Sequence, residues 1–140
     1  MGEKIKVVLD TNVWISIFFK KTLGEKFSEI LSKKRIEVYT TEEILREISK
    51  VLMYSRINEL LKTVGVSERN VLQKIADNSI IVRPKFKLKI IKEDPEDNKV
   101  LDCALQAGAS FIISGDKHLL RLGKFRNIRI LTPKEFMEAV

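Results

Sequence analysis

The stretch Lys6-Val7-Val8-Leu9-Asp10-Thr11-Asn12-Val13-Trp14-Ile15-Ser16 runs from three apolar residues straight into a carboxylate, then resumes an apolar course after Asn12. A short β-branched run ending in an acid reads as a buried strand with a polar group at its carboxyl end. In open parallel sheets that end is where connections diverge and leave a crevice for ligands. With Ile5–Leu9 as the first such run, others recur at Ile36–Tyr39, Ser79–Val82, Phe111–Ser114 and Ile128–Leu131. Segments of helical period lie between them. The alternation predicts an α/β fold, a mainly parallel sheet of about five strands covered by helices.

The helical segments are defined by their apolar stripes. In Thr41–Met53, Ile44, Leu45, Ile48, Val51 and Leu52 mark one buried face. Pro95–Ala107 turns Val100, Leu101, Ala104 and Leu105 inward, and Gly108 is placed to end it. Further helices are expected over Leu23–Leu31, Arg56–Val64 and Ser67–Asp77. A last one starts near Pro133, with Thr132 as its N-cap. No repeat or Gly/Ser-rich linker divides the chain, so residues 1–140 read as one domain.

Composition narrows the function classes. The 140 residues are 44% hydrophobic and 32% charged, which suits a globular chain with a real core. No apolar run is long enough to cross a bilayer, and the start MGEKIK lacks a signal-peptide core, so a cytoplasmic protein is expected. The single cysteine, Cys103, excludes an internal disulfide and a cysteine-clustered metal site. The net charge of +7 favours polyanionic partners, RNA or DNA first. In Arg83–Ile90 basic and apolar residues alternate, which presents one positive face if the segment is extended, or an edge strand kept soluble by its lysines.

Four carboxylates stand out against this frame. Asp10 follows the first strand, and Asp116 follows Phe111–Ser114 in the same way. Either acid could instead cap a helix, although Thr11 or Asn12 could do so in place of Asp10. Glu47 borders the apolar stripe of its helix, with an ion pair to Lys50 or Arg46 as the ordinary alternative. Asp97 projects back from Val100 and Leu101 onto a buried face, while Asp94-Pro95-Glu96-Asp97 also has the form of a helix start. Asp102 turns off that face and is expected in solvent, and His118, beside Leu119 and Leu120, is expected on the surface. Gathered in one crevice, Asp10, Glu47, Asp97 and Asp116 would repel one another unless a cation cancels the charge. All-oxygen ligation points to Mg²⁺ or Mn²⁺. Asn12 and Ser114 would add neutral oxygens. An acidic pocket in a basic surface suits phosphodiester cleavage.

The chain resembles PIN-domain ribonucleases, particularly the VapC-like toxins of prokaryotic toxin–antitoxin pairs. The matching blocks are Val8–Val13, Thr41–Ile48, Asp94–Leu101 through Ala107-Gly108-Ala109, Ile113–Lys117 and Leu131–Phe136. The resemblance implies a three-layer α/β/α sandwich and a metal-dependent endoribonuclease acting on single-stranded RNA. It carries the catalytic, metal-binding set onto Asp10, Glu47, Asp97 and Asp116, with Asn12 and Ser114 in support. His118 stands where many relatives have another acid, which leaves open whether one metal or two are bound. A cognate antitoxin and a homodimer are further implications of the resemblance. Three rival readings remain. One is a non-catalytic RNA-binding scaffold, and another is an RNA-processing nuclease with no antitoxin. The third is an Asp10-nucleophile phosphotransferase like the haloacid dehalogenases, against which Asn12 stands where a second aspartate is usual.

Overall fold

The computed structural model describes residues 4–33 and 36–140. Its centre is β1 (Ile5–Leu9), parallel to β2 (Ile36–Thr40) on one side and to β4 (Phe111–Ile113) on the other. Outward from these lie β3 (Ile80–Ile81) and β6 (Ile128–Leu131), both parallel to their neighbours. The sheet order is β3-β2-β1-β4-β6-β5. Successive residues Val7, Val8 and Leu9 are all buried although their side chains alternate between faces, so helices cover both sides of the sheet. This is the helix-covered parallel sheet expected from the alternating pattern, and the α/β/α sandwich that the resemblance implies.

The five expected strands are present. The sixth, β5 (Lys124–Phe125), is antiparallel to β6. Two residues are too few to show a period, so this strand left no mark in the sequence. The connecting helices are α1 (Thr11–Phe19), α2 (Lys21–Lys33), α3 (Glu42–Leu52), α4 (Ser55–Val64), α5 (Glu68–Asp77), α6 (Asn98–Ala107), α7 (Lys117–Leu122) and α8 (Pro133–Ala139). α1 and α7 have no counterpart among the periodic segments, because an almost wholly apolar run and a six-residue helix carry little amphipathic signal. A 3₁₀ turn over Pro95–Asp97 leads into α6, which Gly108 ends in the left-handed conformation at φ 67°. Thr132 caps α8 in a full capping box with Glu135. One face of the sheet carries an aromatic cluster in which Phe136 of α8 meets Phe27 of α2 and Phe111 of β4.

Residues 82–91 correct two expectations. Apart from the Val82 N–H, which donates to the Thr40 carbonyl at the end of β2, the segment joins no strand, and it straps across α6. Asn98, Asp102 and Gln106 stand four residues apart on α6 and form one stripe facing it. Gln106 accepts the Lys85 N–H at 3.2 Å, Asp102 accepts the Leu88 N–H at 2.7 Å, and Asn98 accepts those of Ile90 and Ile91 at 3.0 and 2.9 Å. Asn98 also donates to the Ile91 and Pro95 carbonyls. Asp102 is therefore buried, at 7% exposure, and not solvated. The helical wheel placed it off the apolar stripe correctly, but a distant piece of chain covers that side. The strap keeps Arg83, Lys85, Lys87 and Lys89 exposed, with the residues between them partly buried, so the positive face exists.

Candidate active site

Sheet topology places the pocket. From β1 the chain moves to β2 and β3 on one side and returns to β4 on the other. The carboxyl ends of β1 and β4 therefore flank a point where connections diverge. Leu9 pairs with Ile113, so the next residues, Asp10 and Ser114, emerge side by side.

Asp10 is buried and is the N-cap of α1, a role the sequence left equally open to Thr11 or Asn12. Its Oδ1 accepts the Thr11 N–H at 2.7 Å and its Oδ2 accepts the Ser114 hydroxyl at 2.8 Å. Burial raises its pKa, the Ser114 and Thr11 hydrogen bonds oppose the rise, and the charges of Glu47 and Asp116 add to it. Ser114 is fully buried and joins two acids, since its oxygen also accepts the Asp116 N–H at 2.9 Å. Asp116 caps α7, and its Oδ1 accepts the N–H groups of His118 and Leu119 at 2.8 and 3.3 Å. Asn12 is exposed on the first turn of α1.

Asp97 occupies the N-cap position of α6, yet its side chain makes no capping hydrogen bond. The residue is 8% exposed, and its Oδ2 is buried with no hydrogen-bond partner. Burial first, then the adjoining Asp116 carboxyl, and then the charges of Asp94 and Asp10, push its pKa up to about 8. For Asp116, burial acts upward, but the adjoining Asp97 carboxyl and the backbone N–H groups outweigh it and hold the acid below its usual value. The two acids thus titrate as a pair that holds one proton between them. Asp10, Asp97 and Asp116 each stand where a helix begins, and the N-terminal dipoles favour their negative charge.

Glu47 approaches from α3, close enough for its charge to act on Asp10. It does not pair with Lys50 or Arg46. Its Oε2 takes the Lys99 ammonium at 2.5 Å, and the same ammonium binds Glu96. Burial lowers the Lys99 pKa, but the hydrogen bonds to Glu47 and Glu96 outweigh it and hold the lysine above its usual value. Among the described residues, Asp94, Asp97, Asp116 and His118 form a group of potential ligands, each with one ligand atom within 4.8 Å of the others. Two of these four were not read from the sequence as site residues. Asp94 caps the 3₁₀ turn, and its three-residue spacing from Asp97 eclipses the two side chains on that turn. His118, expected on the surface, is mostly buried, with Nδ1 3.8 Å from Asp97 Oδ2 and 3.7 Å from Asp116 Oδ1. Its place two residues after Asp116 was the available signal.

The donor set fits a hard or borderline divalent cation, being rich in carboxylate oxygen. The unpartnered Asp97 Oδ2 points the same way, because a buried acceptor left unsatisfied costs about 1–3 kcal/mol.

The family model described as PIN domain matches residues 6–118. An uncharacterized protein of Methanocaldococcus jannaschii is 33% identical over 96% of this chain and 91% of its own length. Among solved structures, VapBC-1 from nontypeable Haemophilus influenzae superposes with a TM-score of 0.62, covering 93% of this chain and 99% of that one at 12% identity. At that identity the likeness is one of fold. Among the described residues no helix is long and apolar enough to cross a membrane.

Proposed function

The chain belongs to the PIN-domain family, and from that premise we propose that it is a metal-dependent endoribonuclease that hydrolyses single-stranded RNA, working as one nuclease domain over residues 1–140. The observation that carries the reading is the meeting of Asp97 and Asp116 around the unpartnered Asp97 Oδ2, beside the carboxyl ends of β1 and β4, with Asp10 close enough for its charge to act on Asp97. These acids would hold a Mg²⁺ or Mn²⁺ ion, which when bound would supply Lewis-acid charge and lower the pKa of a bound water. Ser114 holds Asp10 and the Asp116 backbone in mutual register. Glu47 completes the acid set with its charge balanced by Lys99, which suits orienting a water more than binding the ion.

A polyanion can lie beside Glu47. A cleft lined by Glu43, Arg46, Glu47, Lys50, Lys87, Glu96 and Lys99 joins the acid side of α3 to the basic face of the strap. Lys87, with Lys85 and Lys89 beside it, can neutralise successive phosphates and hold a strand across the acids. No serine, cysteine or histidine nucleophile is required, and Cys103 is buried with its thiol pushed up to about 12 by that burial and by Asp102. VapBC-1 is a solved structure of similar fold. We extend its pairing to this chain as a cytoplasmic toxin, dimeric and masked by an antitoxin.

The test is cleavage of a labelled single-stranded RNA with Mg²⁺ or Mn²⁺, with chelator, and with Asp10→Asn and Asp116→Asn. Cleavage is expected only from the wild type with metal. Activity that persists in chelator and in both variants overturns the reading. Co-purification with the product of the adjacent reading frame tests the antitoxin.

A further inference from the structure

We infer that His118 and Asp94 complete, with Asp97 and Asp116, a mixed imidazole–carboxylate metal position that favours a borderline divalent cation such as Mn²⁺ over Mg²⁺. The inference names the ion for the acid pocket and rests on the nuclease reading of that pocket. Two buried atoms face each other there without hydrogen-bond partners, His118 Nδ1 and Asp97 Oδ2. They are 3.8 Å apart, and Nδ1 is 3.7 Å from Asp116 Oδ1. These separations are too long for a hydrogen bond. They suit atoms bridged by one ion, since two ligand bonds of roughly 2.1 Å reach at most ~4.2 Å across it.

The alternatives account for these atoms less fully, the plainest being an ion pair of the imidazole with the two carboxylates at these long separations. A structural histidine would turn Nδ1 toward a donor or acceptor, and a structural aspartate at a helix start would accept a backbone N–H, as Asp116 does. Asp97 does neither and still lies buried. Asp94 brings a second carboxylate to the same place while its Oδ1 accepts the Glu96 N–H at 3.2 Å. Mg²⁺ is bound through oxygen, whereas imidazole suits transition ions, so one nitrogen in this set tilts selectivity away from Mg²⁺.

The experiment uses the full chain stripped with chelator. Calorimetric titration gives the Mn²⁺ and Mg²⁺ affinities of the wild type, His118→Asp, His118→Gln and Asp116→Asn. Pulsed electron paramagnetic resonance of the Mn²⁺-loaded wild type reads nitrogen coupling directly and needs no variant to fold. Expected are a ¹⁴N coupling in the wild type, its loss in both His118 variants, and a fall of about tenfold in the Mn²⁺-to-Mg²⁺ preference. Mn²⁺ binding with no ¹⁴N coupling, or an unchanged preference in folded His118→Asp, overturns the inference. If Asp116→Asn still abolishes binding in that case, the acid pocket stands and only its ion is reassigned. If the wild type binds neither ion at millimolar concentration, the inference and the nuclease reading fall together.

Discussion

Two sets of buried polar groups flank the start of α6, and they are built to opposite rules. On the strap side, Asn98 and Asp102 both accept backbone N–H groups, and the backbone groups they meet come from residues 88–95. On the pocket side, Asp97 is just as deeply buried and keeps an oxygen with no partner, facing an equally unpartnered imidazole nitrogen. Other buried atoms also lack partners, the Thr11 and Thr40 hydroxyls and Trp14 Nε1. Asp97 and His118 are set apart as titratable groups that face each other among acids.

The largest effect should separate the two sides by function. Asp97→Asn is expected to cut RNA cleavage by at least roughly 100-fold, the upper end of what loss of a supporting metal-site residue costs. Its thermal midpoint without metal should hold or rise, because the amide has no proton to hold against an unfolded chain that has lost it. A variant as active as the wild type would erase the contrast.

On the strap side the signs reverse. Asn98→Ala breaks bonds to Ile90, Ile91 and Pro95 and should destabilise the fold by about 2–3 kcal/mol in denaturant unfolding, and Asp102→Ala by about 1–3 kcal/mol. For Asp102→Ala, calorimetric metal affinity should stay within roughly twofold, as distant sites behave independently. A stability change within error at both positions would mean that the strap is not held by α6.

Acid titration sharpens the comparison further. The Asp97 pKa is raised from 3.8 to about 8, so between those values the folded, metal-free protein keeps a proton that the unfolded chain has lost. Stability therefore declines as pH rises from about 4 to about 8 and levels off above. Melting curves in chelator should show this decline, and Asp97→Asn should flatten it. An equal slope in the variant would assign the effect to other groups.

The smallest change concerns Lys99, which balances Glu47 at the rim. Lys99→Gln leaves that charge bare beside Asp10, so divalent-ion affinity should rise a few-fold while stability falls by less than about 1 kcal/mol. Reduced affinity would show that Glu47 must be held by the lysine to serve the pocket.

Strand runs, the faces of α3 and α6, the Gly108 stop and the Thr132 cap were legible locally, because period and capping chemistry are properties of neighbouring residues. The same local signals missed β5 and misplaced Asp102. One element is too short to have a period, and the other depends on a cover supplied from outside its helix.

By itself, then, the sequence determined a parallel α/β order, a basic surface, and acids placed at strand ends and at the edge of buried faces. Only the tertiary structure decided which of them meet. The β1–β4 register set Asp10 beside Ser114, the 3₁₀ turn swung Asp94 toward Asp97, α7 turned His118 inward, and Lys99 drew Glu47 to the rim. The reason is geometric. A side chain's direction follows from its neighbours along the chain, but its separation from residues far along the chain follows from register, crossover and packing, which no short stretch encodes.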